Sequence, residues 1–201
     1  MTTILAYQGN DFAVVGTDSR ISSFDDGGMV YQITTLGSGA AKVAENGEYL
    51  IGVAGDVRAI NIVHHAFSPP VASRTVKDKK LDIFMTKSFV PSLRSCFEEQ
   101  GYATPEKEGQ QHRAEQASSV LVAIHGTVYV IESDYGWTSD QSGMYAIGTG
   151  SAYALGALEA LVGRRVLSVE QAKSFVTKAL GIAAKFDPFT GGPFKTFLQE
   201  R

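Results

Sequence analysis

A single cysteine, Cys96, leaves no partner for an intrachain disulfide, so the chain does not call for an oxidising compartment. No apolar run is long enough to span a bilayer and no signal peptide precedes Thr2, so a cytoplasmic protein without membrane association is expected. Positive charge is also short. The 18 Lys and Arg residues are scattered among 21 Asp and Glu for a net charge of −3, and no basic stripe of the kind that tracks a nucleic-acid backbone is present. Lys77, Lys79 and Lys80 do cluster, as a solvated loop or helix start or, in the functional alternative, as a docking patch for a partner. The histidines His64, His65, His112 and His125 have no Cys or carboxylate partners at zinc-ligand spacing, so neither a metal nor another cofactor is expected. No Pro- or Gly-rich linker, short-period repeat or low-complexity segment divides the chain. With 44% hydrophobic residues, positions 1–201 are expected to form one domain around a sizeable core.

What the chain does have begins at its start. Thr2 and Thr3 stand between Met1 and the apolar run Ile4-Leu5-Ala6-Tyr7. If Met1 is removed, Thr2 combines a nucleophilic hydroxyl with a free α-amine whose ordinary pKa, about 7.7 to 8.0, suits a general base near neutrality. A common start to a strand would look the same, so the surroundings decide. The turn Gln8-Gly9-Asn10-Asp11 and a second strand lead to Asp18. A hairpin returns its far end to the level of its start, which predicts Asp18 beside Thr2. Lys42 interrupts another strand start, and a strand over 48–54 breaks at Gly55-Asp56. If these strands are neighbours, an acid, a base and a glycine N–H able to face an oxyanion converge on Thr2.

The remaining pattern predicts strands at 3–8, 12–19, 40–45 and 48–54, a helix from Asp56 to about Phe67, and a second from Leu81 to Gln100 that Pro91 kinks or divides. Cys96 falls with Phe89, Leu93 and Phe97 at helical spacing and reads as core. The polar stretch from Gly101 to Gln116 reads as a protease-sensitive loop. A hairpin over 118–131 turns at His125-Gly126, and a short strand ends at Ile147. Helices then run from Ser151 to Val162 and from Ser168 to Lys185, the latter opened by a Ser168/Gln171 capping box. Strands grouped around paired helices indicate an α+β layered sandwich rather than a doubly wound parallel sheet.

The motifs Thr2-Thr3-Ile4, Gly16-Thr17-Asp18-Ser19-Arg20, Lys42-Val43, Val53-Ala54-Gly55, the run from Ala146 to Ala154 and the run from Phe186 to Gly192 occur in one order along the chain. In that set the sequence resembles the β-type subunits of the proteasome family, including the bacterial protease subunit HslV and small bacterial proteasome homologues. The resemblance implies a four-layer α/β/β/α sandwich of the N-terminal nucleophile hydrolase type and a threonine endopeptidase. It also implies stacked homo-oligomeric rings acting on polypeptide substrates delivered by an ATP-dependent unfoldase ring.

Carried over by position, it makes Thr2 the nucleophile, Asp18 and Lys42 its ion pair, and the Gly55 N–H the oxyanion donor. Thr149 and Asp187 become the pair that binds the threonine amine, and Ile21 and Val53 the substrate pocket. Three departures stand out. Thr149 replaces the usual serine, and Asp56 follows Gly55 where a small neutral residue is usual, so Asp56 is expected to cap the next helix instead. The segment between Arg20 and Lys42 is about eight residues longer than in the family, a substrate-facing loop or a linker around the run from Ser22 to Gly28. A small-amide hydrolase of the same nucleophile class, or a noncatalytic ring subunit, would share the fold. The set Thr2, Asp18, Lys42 and Asp187 argues against the second.

Overall fold

The computed structural model describes residues 2–37, 40–103 and 116–201. Met1 and most of the polar stretch predicted as a loop, including His112, lie outside the described residues.

Strands β1 (Thr3–Gln8) and β2 (Phe12–Thr17) form a hairpin flanked by β10 (Met144–Gly148) and β11 (Lys195–Glu200) in an antiparallel sheet of order β10-β1-β2-β11. A second antiparallel sheet runs β5 (Val43–Asn46), β6 (Tyr49–Ala54), β7 (Ser119–Ile124), β8 (Thr127–Ile131) and β9 (Trp137–Thr138). Side chains alternate between faces along a strand, and both faces of both sheets are covered. Ile4 and Ala6 of β1 meet Leu50, Leu121 and Val128 in the layer between the sheets. Leu5 and Tyr7 point the other way, onto α4 (Ser151–Val162) and α5 (Val169–Phe186) through Leu158, Val176 and Leu180. The outer face of β6, with Ile51 and Val53, packs against α1 (Val57–His65), α2 (Lys79–Phe84) and α3 (Val90–Glu99) through Ile60, Leu81, Leu93 and Phe97. The fold is thus α+β, a four-layer α/β/β/α sandwich. Double coverage explains why these antiparallel strands read as continuous apolar runs rather than alternating ones.

Several local expectations hold. Ser168 and Gln171 form the capping box of α5, Asp56 accepts from Arg58 N at 2.8 Å as the N-cap of α1, and Lys79 opens α2. His125 and Gly126 take φ of 49° and 74°, the left-handed pair that a two-residue hairpin requires. Cys96 is half-buried and packs against the helix-side core. Ahead of Pro91 the helix widens into a π-turn, Met85–Phe89, in which Val90 N–H reaches Met85 O. Proline has no N–H to donate and its ring crowds the preceding turn, and the wider turn accommodates both.

Four strands lie where the periodicity did not place them. The long segment after Arg20 is neither an open loop nor a linker: it folds as a two-stranded ribbon, β3 (Arg20–Phe24) with β4 (Val30–Thr35), closed around Asp25, whose Oδ1 accepts from Gly27 N and Met29 N. β9 and β11 were likewise unassigned, because Trp137–Thr138 is too short for a pattern and β11 is mostly half-buried.

Candidate active site

The start of β1 is where the two sheets and the α4–α5 layer meet. Thr3 pairs with Gly148 of β10, and Thr149 N–H donates to Thr2 O at 2.9 Å. Gly148, at φ 94°, lies so close that a Cβ there would sit 1.9 Å from Thr2 O and 3.4 Å from the Ala54 methyl. The end of β6, at Ala54, therefore lies near Thr2. Gly148→Ala is expected to destabilise the protein by at least about 2 kcal/mol, since backbone must move to admit the methyl and φ is left-handed. Unfolding in denaturant measures it, and wild-type stability would show that the β1–β10 approach is looser than these distances.

Asp18 is fully buried and fully satisfied. Its Oδ1 accepts from Thr3 N at 3.0 Å and from Lys42 Nζ at 2.7 Å, and its Oδ2 from Arg20 N at 3.1 Å and Gly191 N at 3.2 Å. Lys42 is equally buried and donates to Arg20 O at 2.6 Å as well. Burial pushes the lysine pKa below its ordinary value, opposed first by the Asp18 charge and then by the hydrogen bond to it. Excellent geometry on both partners is what such a buried pair requires to form at all.

A second carboxylate, Asp187, just after α5, anchors a chain of hydroxyls. Thr149 Oγ1 donates to its Oδ2 at 2.9 Å and Thr190 Oγ1 to the same oxygen at 2.5 Å. Because Thr190 spends its proton on a carboxylate, its contact with Thr3 Oγ1 at 2.5 Å has Thr3 as donor, and Thr3 in turn accepts from Gly150 N at 3.1 Å. Gly150 has no room for a side chain: a Cβ would meet Thr3 Oγ1, Thr190 Oγ1 and Asp187 Oδ2 within 3 Å. Thr2 Oγ1 stands apart from both systems, buried and with no hydrogen-bond partner among the described residues. Such a hydroxyl is costly unless it has a use.

Gly55 ends β6 at φ 147°, and a Cβ there would lie 2.3 Å from Ser118 Oγ. Ile21 lines a cavity of about 110 Å³ with Leu36, Val57, Ile60 and His64. Val53 does not line it. It is 1% exposed in the helix-side core, and its N–H donates to Lys42 O. Sequence reasoning gave no role to Thr190, Thr3 Oγ1 or Arg20, whose guanidinium donates to Pro188 O at 2.7 Å. Thr190 stands three residues beyond Asp187, and only the turn after α5 brings it back.

The solved structures decide the family of folds. BPH of Thiobacillus denitrificans, in complex with epoxomicin, superposes with a TM-score of 0.72 over 98% of both chains at 18% identity. The chain has a proteasome-like fold. Eukaryotic HslV from Trypanosoma brucei gives 0.65 over 99% of both chains at 20% identity, and a second BPH structure gives 0.71 over 98% of this chain and 97% of that one at 19% identity. A family model described as proteasome subunit matches residues 111–197 of the chain. No curated protein matches it by sequence.

Proposed function

We propose that the chain is the subunit of a self-compartmentalised threonine endopeptidase. The observation that carries this reading is the fully buried Lys42–Asp18 pair, 2.7 Å apart at the base of the strand that begins with Thr2. A structural subunit has no need to bury a lysine against its own desolvation cost.

Removal of Met1 frees the Thr2 amine. Thr2 Oγ1 then attacks the substrate carbonyl carbon while its proton passes to that amine, directly or through water, and the Lys42 ammonium lowers the cost of negative charge on the oxygen. The oxyanion accepts from Gly55 N–H. Collapse breaks the C–N bond, the departing amine takes the proton, and an ester on Thr2 remains. Water, deprotonated by the Thr2 amine, hydrolyses that ester. Thr149, Thr190 and Asp187 hold the amine in place, and Asp56, committed to capping α1, is kept from opposing the oxyanion. The apolar walls supplied by Ile21, Val57 and Ile60 favour an apolar side chain before the scissile bond.

The same reading implies stacked rings of identical subunits in the cytoplasm, supplied with unfolded polypeptide by an ATP-driven unfoldase ring. Phe186, 63% exposed and stacked on the half-exposed Tyr153 at 5.7 Å, suits coverage by a neighbouring subunit. Activity is therefore expected to track assembly. Light scattering should report a species many times 21.5 kDa, and dilution to monomers should abolish peptide cleavage. A fully active monomer would favour a small-amide hydrolase instead.

A further inference from the structure

We infer that His64 is a positioning residue for Lys42, acting through the carbonyl of Ala41. The inference rests on the reading of Lys42 as the electrostatic aid to Thr2.

Lys42 sits at the end of a ladder, not within one. β5 pairs with β6 from Val43↔Gly52 to Asn46↔Tyr49, and one further bond, Val53 N–H to Lys42 O at 3.0 Å, closes the series. Just before Lys42 the carbonyls are met by side chains instead. His64 Nε2 lies 2.8 Å from Ala41 O, and Lys195 Nζ donates to Gly37 O at 2.8 Å and to Ala40 O. A carbonyl oxygen only accepts, so Nε2 carries the hydrogen of the first of these bonds.

Ala40 and Ala41, whose carbonyls these bonds hold, have little packing of their own. Ala40 is exposed and Ala41 half-buried. Both residues line two cavities, the one of about 110 Å³ beside Ile21 and another of about 290 Å³ bounded by Val43, Glu45, Lys195 and Phe197, and His64 borders both. Backbone flanked by voids on two sides keeps its place through its hydrogen bonds rather than through neighbours.

His64 and Lys195 are not equal in this. The Lys195 bonds are exposed and end a long side chain whose ordering costs entropy. His64 has two side-chain torsions and stands on α1, which is anchored in the core by Ala59, Ile60, Ile62 and Val63. It therefore transmits the position of a rigid helix to the residue preceding Lys42. Precision matters there because the Lys42 stem is fully buried and its ammonium must meet Asp18 Oδ1 at 2.7 Å and Arg20 O at 2.6 Å.

The test compares His64→Leu, which keeps apolar bulk without the donor, with His64→Gln, whose amide N–H reaches about as far as Nε2. Peptide cleavage by the assembled, Met1-processed protein is measured together with hydrogen exchange of the segment 40–44. In His64→Leu, kcat is expected to fall roughly tenfold with KM little changed, as small misplacements of a catalytic group do. Exchange at 40–44 should rise while that of β1 stays slow, and His64→Gln should restore both. If His64→Leu fails to assemble, His64→Asn takes its place, with the same amide set one methylene short.

A change confined to KM would make His64 a groove wall only and overturn the inference, as would equal kcat in the donor and donor-less variants. Cleavage that survives Thr2→Ala would overturn the underlying reading instead, and the exchange pattern at 40–44 would then judge the clamp alone.

Discussion

Thr2→Ala is expected to lower peptide turnover by at least about ten-thousandfold, the scale on which a nucleophile and the groups that act with it are lost together. The same loss is expected of chains that keep Met1, for two reasons. An acylated Thr2 nitrogen is an amide whose lone pair is delocalised into the carbonyl and does not accept a proton, and Thr2 is only 1% exposed, with its hydroxyl buried. Thr2→Ser should keep measurable turnover, since an N-terminal serine retains both hydroxyl and amine. Intact mass identifies the processed and blocked forms, and cleavage of a peptide with an apolar residue before the scissile bond gives the rate. Full activity in a preparation carrying only Met1-blocked chains would remove Thr2 from the chemistry while leaving the fold untouched.

Lys42→Ala is expected to reduce kcat by about a hundredfold or more, as when a preorganised charge that aids the nucleophile is deleted. Breaking a buried pair usually costs about 3 to 5 kcal/mol because the surviving charge is stranded. Here Asp18 keeps three backbone donors, Thr3 N, Arg20 N and Gly191 N, so the protein should still fold. Lys42→Arg should fail too, because a planar guanidinium does not fit a site that takes one nitrogen between Asp18 Oδ1 and Arg20 O. Asp18→Asn should lose activity by a third route. Burial already depresses the Lys42 pKa and the Asp18 charge is the first influence opposing it, so removing that charge drives the lysine toward its neutral form. Near wild-type kcat in any of the three, with folding verified by circular dichroism, would separate the ion pair from catalysis.

Much of this arrangement was legible along the chain because its parts are local or strongly patterned. Apolar runs bounded by Gly and Asn turns marked β1, β2, β6, β7 and β8, and the 3.6-residue spacing of Ala172, Val176, Ala179 and Ala183 marked α5, since burial of one face imposes that period. The hairpin logic that set Asp18 beside Thr2 holds to 3.0 Å at Thr3 N. The β3–β4 ribbon was not legible, because every β4 residue is exposed and no buried face imposes alternation. β11 was missed for a related reason: it is an edge strand, mostly half-buried, recruited by β2 from the far end of the chain.

By itself the sequence pointed to Thr2 as the candidate nucleophile of the proposed reaction, and to the short-range elements that carry an acid, a lysine and a glycine. Spacing along a chain limits how far apart residues can be but does not say which distant ones meet. That was decided by the stacking of two sheets between two helix layers. It brought Asp187 and Thr190 from beyond α5 to the Thr3 hydroxyl, buried Lys42 against Asp18, and set His64 of α1 on the Ala41 carbonyl. Each of these contacts joins groups of modest intrinsic affinity in water, and they persist because the packed layers exclude the solvent that would otherwise compete for them.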